Sequence, residues 1–193
     1  MTKELGIAAR VSIVTLLVTG LVYPLLTTAA ALVLFPSRAR GSIVADEQGH
    51  AIGSELIGQA FASPAYLQGR PSASGYDAQA SGGSNLGPTS KALRERADKE
   101  LARLRGENPG APGEVPAELV SASGSGLDPH LSPAAAAWEA PRVSRARRLS
   151  LERVLAVIET NTEGRDLGFL GEPRVNVLLV NLALDRQFGR PAK

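Results

Sequence analysis

Between Arg10 and Arg38 the chain carries no charged side chain. Residues 11–34 read VSIVTLLVTGLVYPLLTTAAALVL, and as an α-helix this stretch extends roughly 36 Å, enough to cross a hydrocarbon core of about 30 Å with some tilt. A secretory signal starts in the same way, and Lys3, Arg10 and the small residues 28–31 would supply its basic start and cleavage region. The apolar part of a signal is shorter, about 7 to 15 residues, whereas this run continues through Leu32, Val33, Leu34 and Phe35. The sequence therefore reads as a cytoplasmic tail over 1–10, a membrane-spanning helix over 11–35 and a single soluble domain over 36–193. Charge counting across the span is nearly tied, with Lys3 and Arg10 before it and Arg38 and Arg40 after it. The terminal amine and the absence of Lys or Arg over 41–69 lean toward an inside N-terminus.

Within the span, Ser12, Leu16, Gly20, Pro24, Thr28 and Ala31 recur three or four apart, which gathers small side chains and one proline along a helical face. In lipid such a face lets another helix approach closely. A lone tilted anchor of ordinary composition has the same pattern, and the residues by themselves leave both readings standing.

Beyond the span no second stretch is long and apolar enough to cross a bilayer, and what remains is sufficient for one hydrophobic core. Short strands are expected at 42–45 and 53–57. Residues 68–88 have the chemistry of a long loop, rich in Gly, Ser and Pro, and loops of that length are usually functional or packed on a partner. A helix is expected over 90–105, with Leu93, Ala97, Leu101 and Leu104 at helical spacing and Gly106 at its end. Ser132 and Pro133 mark another start, opening AAAAWEA before Pro141. Ser150 begins a third helix, with Leu151, Val154, Leu155 and Ile158 as its apolar stripe. Residues 175–184, VNVLLVNLAL, read as a buried strand. The fold class is α+β: one N-terminal transmembrane helix followed by one extracytoplasmic domain of mixed helix and sheet.

Little in the chain carries chemistry of its own. With no cysteine there is no disulfide, no thiolate metal site and no cysteine nucleophile. A net charge of +2 is too small to point to nucleic acid. The phosphate-loop, dinucleotide, zinc-protease and serine-hydrolase signatures are all missing. His130 stands near Asp128 and Ser132, which admits an anchored hydrolase as the alternative function, although residues so close in sequence rarely assemble a working triad. Ser81, Gly82, Gly83, Ser84 and Asn85 form a loop whose backbone amides suit an oxyanion, or an ordinary flexible turn. Arg142, Arg145, Arg147 and Arg148 form a basic set that would meet lipid headgroups or an acidic subunit, or else a solvated helix face. No catalytic or metal-binding residue emerges.

Several blocks are familiar in sequence order: TGLVYPLLTT, IGQAF, GRPSA, ASGGSNLGP, ASGSGLDPHLSP, PRVSRARRLS and VNVLLVNLALD. Together they resemble the C subunit of the bacterial potassium-transporting P-type ATPase, the KdpC family, from about Val18 to Asp185. Trp138 and Glu139 depart from it, where many relatives carry a glutamine after the alanine run. The resemblance implies an inner-membrane protein with its N-terminus inside and its domain outside. It also implies three partners, a potassium-channel-like A subunit, an ATP-hydrolysing B subunit and a small helical F peptide. No cofactor is firmly held; ATP and the transported potassium belong to the complex. The C subunit is non-catalytic, stabilises its partners and acts as a chaperone that raises ATP affinity in the hydrolytic subunit. The resemblance places span packing at Gly20, Tyr23, Pro24 and Thr28, and a partner interface at Gln59, Arg70, Asn85, Asp128 and His130. It makes the 81–85 loop a candidate nucleotide contact, which an extracytoplasmic domain could not make with cytoplasmic ATP.

Overall fold

The computed structural model describes residues 2–46 and 48–191 and comprises two compact units, residues 1–52 and 53–193. The first is dominated by one continuous helix, Thr2–Leu34, with a mean hydropathy of 2.1 over its most apolar window and no buried residue. It is long and apolar enough to cross a membrane. Two α-helical parts, α1 (Thr2–Leu17) and α2 (Tyr23–Leu34), flank a π-helical turn at Val18–Val22. Proline explains the widened turn. Pro24 has no N–H, and its ring clashes with the carbonyl four residues back; within this turn the Tyr23 amide reaches the Val18 carbonyl, five residues back. The Thr19 hydroxyl donates to the Thr15 carbonyl at 2.7 Å, and that of Thr27 donates to Tyr23 at 2.9 Å. These side chains thus satisfy their polar groups within their own helix, as a lipid setting requires. A single turn, α3 (Pro36–Ala39), and the paired strands β1 (Ile43–Ala45) and β2 (Ala51–Ser54) follow. The second strand lies earlier than the expected 53–57, because Ser54 closes it: its Oγ accepts from the Leu56 amide and its carbonyl from the Ile57 amide.

The second unit packs helices on a small antiparallel sheet. Its elements are α4 (Lys91–Glu107), α5 (Ala117–Val120), β3 (His130–Leu131), α6 (Pro133–Arg147), α7 (Leu151–Thr160), β4 (Thr162–Glu163), β5 (Arg174–Asn176) and α8 (Val177–Phe188). The sheet order is β3-β5-β4, with Leu131 and Thr162 both opposite Val175. Leu67, Leu131, Val143, Val154, Val175, Val180 and Leu184 are fully buried, and they hold the sheet, α6, α7, α8 and one loop residue in a single core.

Three sequence expectations fail here for identifiable reasons. Residues 175–184 are not one strand: only Val175 and Asn176 are extended, and α8 begins at Val177. The Asn176 Oδ1 accepts from the Leu179 amide at 3.2 Å and so caps the helix. Val177, Val180, Asn181 and Leu184, all buried, then lie at helical spacing. Nor does the alanine-rich helix stop before Pro141. It runs on to Arg147, because Arg142 and Val143 beyond the proline are buried in the interior, outweighing the one lost helical hydrogen bond. Likewise α4 passes through Gly106 and ends at Asn108, whose amide reaches the Leu104 carbonyl. Leu184→Ala is expected to destabilise the domain by about 2–5 kcal/mol, read as a lowered midpoint in denaturant unfolding of the detergent-solubilised chain.

Candidate functional site

The long connection between β2 and α4 contains few residues able to fill a core, and polar side chains from two helices hold it instead. The Asn181 side chain of α8 pairs with the backbone of Leu67, accepting from its amide at 2.8 Å and donating to its carbonyl at 3.0 Å. From α6, Arg142 donates to the carbonyls of Pro64 and Tyr66, and Glu139 accepts from the Gln68 amide at 2.7 Å. Arg147 donates to the Ala65 and Gly189 carbonyls and to Asp185, and its guanidinium lies 4.8 Å from the centre of the Tyr66 ring. Asp185 also accepts from the Tyr66 hydroxyl at 2.9 Å. Residues 64–68 thus form a strap fastened across the helices.

Past the strap, three Gly- and Ser-rich segments interlock. The Gly58 amide donates to the Leu127 carbonyl, the Ser123 amide to the Pro71 carbonyl and the Gly82 amide to the Ser125 carbonyl. Ser72 donates to the Gly126 carbonyl at 2.6 Å, and the Tyr76 hydroxyl donates to the Arg70 carbonyl at 2.7 Å. The backbones approach too closely for side chains. A Cβ at Gly58 would lie 2.6 Å from the Asp128 carbonyl oxygen, and one at Gly83 would lie 2.9 Å from that of Gly124.

The residues singled out by sequence fall into this frame as follows. Arg70 and Asp128 form an ion pair at 3.2 Å. Asp128 also accepts from the His130 amide at 3.0 Å, while its carboxylate is 3.8 Å from the imidazole. Burial holds the His130 pKa below its usual value despite Asp128. The Gln59 side chain lies over Gly53, where a Cβ would be 2.5 Å from Nε2. Asn85 is exposed and adopts a left-handed backbone, with φ 51°. In the 81–85 loop, Ser81 donates to the Ser125 carbonyl and Ser84 accepts from Arg96. Gly20, Tyr23, Pro24 and Thr28 are all exposed on the apolar helix.

The hydrolase alternative does not assemble. The Ser132 hydroxyl donates to Glu118 and accepts from the Ala135 amide, so it caps α6, and no hydrogen bond joins it to His130 among the described residues. The basic set divides as well: Arg142 and Arg147 are committed inside the fold, while Arg145 and Arg148 are exposed.

Sequence reasoning missed Glu139, Asn181 and Asp185, the residues that fasten the strap. Glu139 and Arg142 sit together in the interior, with side-chain exposures of 1% and 4%. Glu139 Oε1 is 3.1 Å from Arg142 Nη2 but without the alignment of a hydrogen bond. Burial, offset only in part by Arg142 and the Gln68 amide, pushes the Glu139 carboxyl up to about 7. Alongside the strap is an open groove of about 480 Å³, lined by Phe61, Gln68, Tyr76, Glu100, Arg103 and Glu107. Arg103 bonds Glu100, Glu107 and Gln68 there; burial opposes its charge, but the two carboxylates outweigh it and raise its pKa.

The family described as K+-transporting ATPase, c chain, KdpC, matches residues 5–186, from the apolar helix through the joint to α8. The chain belongs to the KdpC family. A potassium-transporting ATPase KdpC subunit of Myxococcus xanthus is 61% identical over 184 residues, covering 94% of this chain and 87% of the relative. KdpC subunits of Methylococcus capsulatus and Rhodospirillum rubrum are 54% and 53% identical, covering 88% and 89% of this chain and 90% of each relative.

Two outcomes follow from the geometry of this KdpC-family domain. Gly58→Ala forces the 58 and 128 backbones apart and is expected to lower stability by about 1–3 kcal/mol, with faster amide exchange at Gly58 and Gly82 as the local readout. Glu139 binds its proton more tightly folded than unfolded, so its contribution to stability is greatest below about pH 4.5 and is lost as the pH rises through about 7. Unfolding midpoints of wild type and Glu139→Gln across pH 4–8 are expected to show this, the wild type losing up to about 3 kcal/mol relative to the variant.

Proposed function

We propose that this chain is the non-catalytic C subunit of an ATP-driven potassium uptake complex of the cytoplasmic membrane. The observation that carries the reading is the family match over residues 5–186, with relatives that are potassium-transporting ATPase subunits. Its partners are a channel-like A subunit, a P-type ATPase B subunit and a small F peptide. The N-terminus lies inside, a single helix spans the lipid, and the 36–193 domain lies outside over the ion entrance. Neither a phosphorylatable D-K-T-G sequence nor a T-V-G-Y-G-like filter occurs in the chain, in keeping with hydrolysis and ion selection by partners. Arg70, Asp128, His130, Gln59 and Asn85 then contribute the outer contact with the partners.

A chaperone effect on ATP affinity, in this topology, passes through packing of the span and domain as a coupling free energy between conformations of the pump. Residues 81–85 then serve the interlocked joint, with Gly82 and Ser81 bound to Ser125, and nucleotide stays with the hydrolytic subunit. The span contacts its neighbours through Gly20, Tyr23, Pro24 and Thr28.

Position 20 makes a clean test, because a Cβ there meets nothing within 4 Å in the chain itself. Gly20→Leu and Pro24→Leu are expected to reduce co-purification of the partner subunits by about fivefold or more, the scale of a lost helix contact in lipid. Complex recovery and potassium uptake equal to wild type in both variants would remove the span from the interface.

A further inference from the structure

A second concavity, of about 390 Å³, lies where the C-terminal end of α6 meets the end of α8, and its lining includes Arg147, Arg148, Arg190, Phe188 and Pro191. We propose that this pocket binds a phosphate group, carried by an anionic phospholipid or by a soluble phosphate ester.

Three guanidiniums line the pocket and, among the described residues, no carboxylate does. Arg147, with a side-chain exposure of 3%, is fixed in the wall by Ala65, Gly189 and Asp185. Asp185 neutralises that one charge and is itself committed to Arg147 and Tyr66. The side chains of Arg148 and Arg190 make no hydrogen bond or ion pair among the described residues, so two guanidiniums are left uncommitted on one concave surface. Such a pair offers the planar forks that phosphate oxygens accept best. The backbone at Arg148 strengthens the case. It is left-handed, with φ 56° and ψ 36°, at a helix end where glycine is the customary occupant. Here an arginine sits in that strained position, on the pocket lining. Phe188 and Pro191 add an apolar wall beside the charges, which suits an amphiphile better than a bare ion. The same chain carries a helix fit to cross a bilayer, so anionic headgroups are one source of phosphate for the chain.

The test is calorimetric titration of the full chain in neutral detergent with dihexanoyl phosphatidylglycerol, dihexanoyl phosphatidylcholine, glycerol 3-phosphate and an oligoglutamate peptide. Saturable binding of the phosphatidylglycerol or the glycerophosphate is expected, weakening with salt. Arg148→Gln with Arg190→Gln is expected to weaken it about tenfold or more. Tighter binding of the lipid, with that advantage lost in Phe188→Ala, assigns the site to headgroups; equal affinities assign it to soluble esters. Arg148→Gly separates binding from folding, since it relieves the left-handed strain and is expected to raise the unfolding midpoint while weakening phosphate. Wild-type affinity in the arginine variants, no saturable phosphate binding, or binding of oligoglutamate or phosphatidylcholine as tight as that of phosphatidylglycerol would overturn the proposal.

Discussion

A loop with little to bury must be held by hydrogen bonds, and in this domain the bonds come from the side chains of two neighbouring helices. Asn181 treats the peptide of Leu67 as a strand partner would, with one bond in each direction. Glu139, Arg142 and Arg147 take the peptide groups on either side. The strap brings Leu67 into the core and fixes where the chain leaves toward Arg70 and Tyr76. Each buried polar group in such a network is costly if its partner is lost, so the strap, α6 and α8 are expected to order and disorder as one body. The raised pKa of Glu139 records the strain of keeping a carboxylate in that place with Arg142 imperfectly aligned.

The same logic separates what the sequence revealed from what it concealed. The apolar helix was legible because an uncharged run of that length has few other solutions, and the cap at Ser132 was legible because a local hydrogen bond specifies it. Residues 175–184 misled because a short apolar run has no period strong enough to separate strand from helix. Asn176 as a cap and Asn181 one turn beyond it were the available clues. Pro141 misled in the opposite sense: a local breaker was overruled by burial on its far side. The Gly- and Ser-rich segments announced a loop but not that three of them would meet, since their pairing depends on partners more than forty residues apart in sequence, such as Ser81 with Ser125. The Arg70–Asp128 pair belongs to that assembly; Arg70 was found only through family likeness, and Asp128 was otherwise noticed only for its place beside His130.

Glycine has a particular meaning in the joint. At Gly58 and Gly83 the obstacle to a side chain is a carbonyl oxygen of the facing segment, not the local backbone angle. These positions set how closely two stretches of main chain can lie. Gly126 combines both restrictions, with φ +71° and the Ser74 hydroxyl 2.6 Å from where its Cβ would stand. A surface assembled this way is composed largely of peptide groups and hydroxyls, and it is pinned at many points.

The widened turn at Val18–Val22 also changes the geometry of the rod in which it sits. A turn closed five residues back takes in about one residue more than an α-turn, so side chains beyond Tyr23 are out of angular phase with those before Val18. The seam that a uniform helix would draw straight from Ser12 to Ala31 is therefore sheared midway, with Gly20 at the fault. A single straight neighbour can follow only one half of it; contact along the full length calls for a neighbour that winds, or for two different helices meeting the rod above and below the fault.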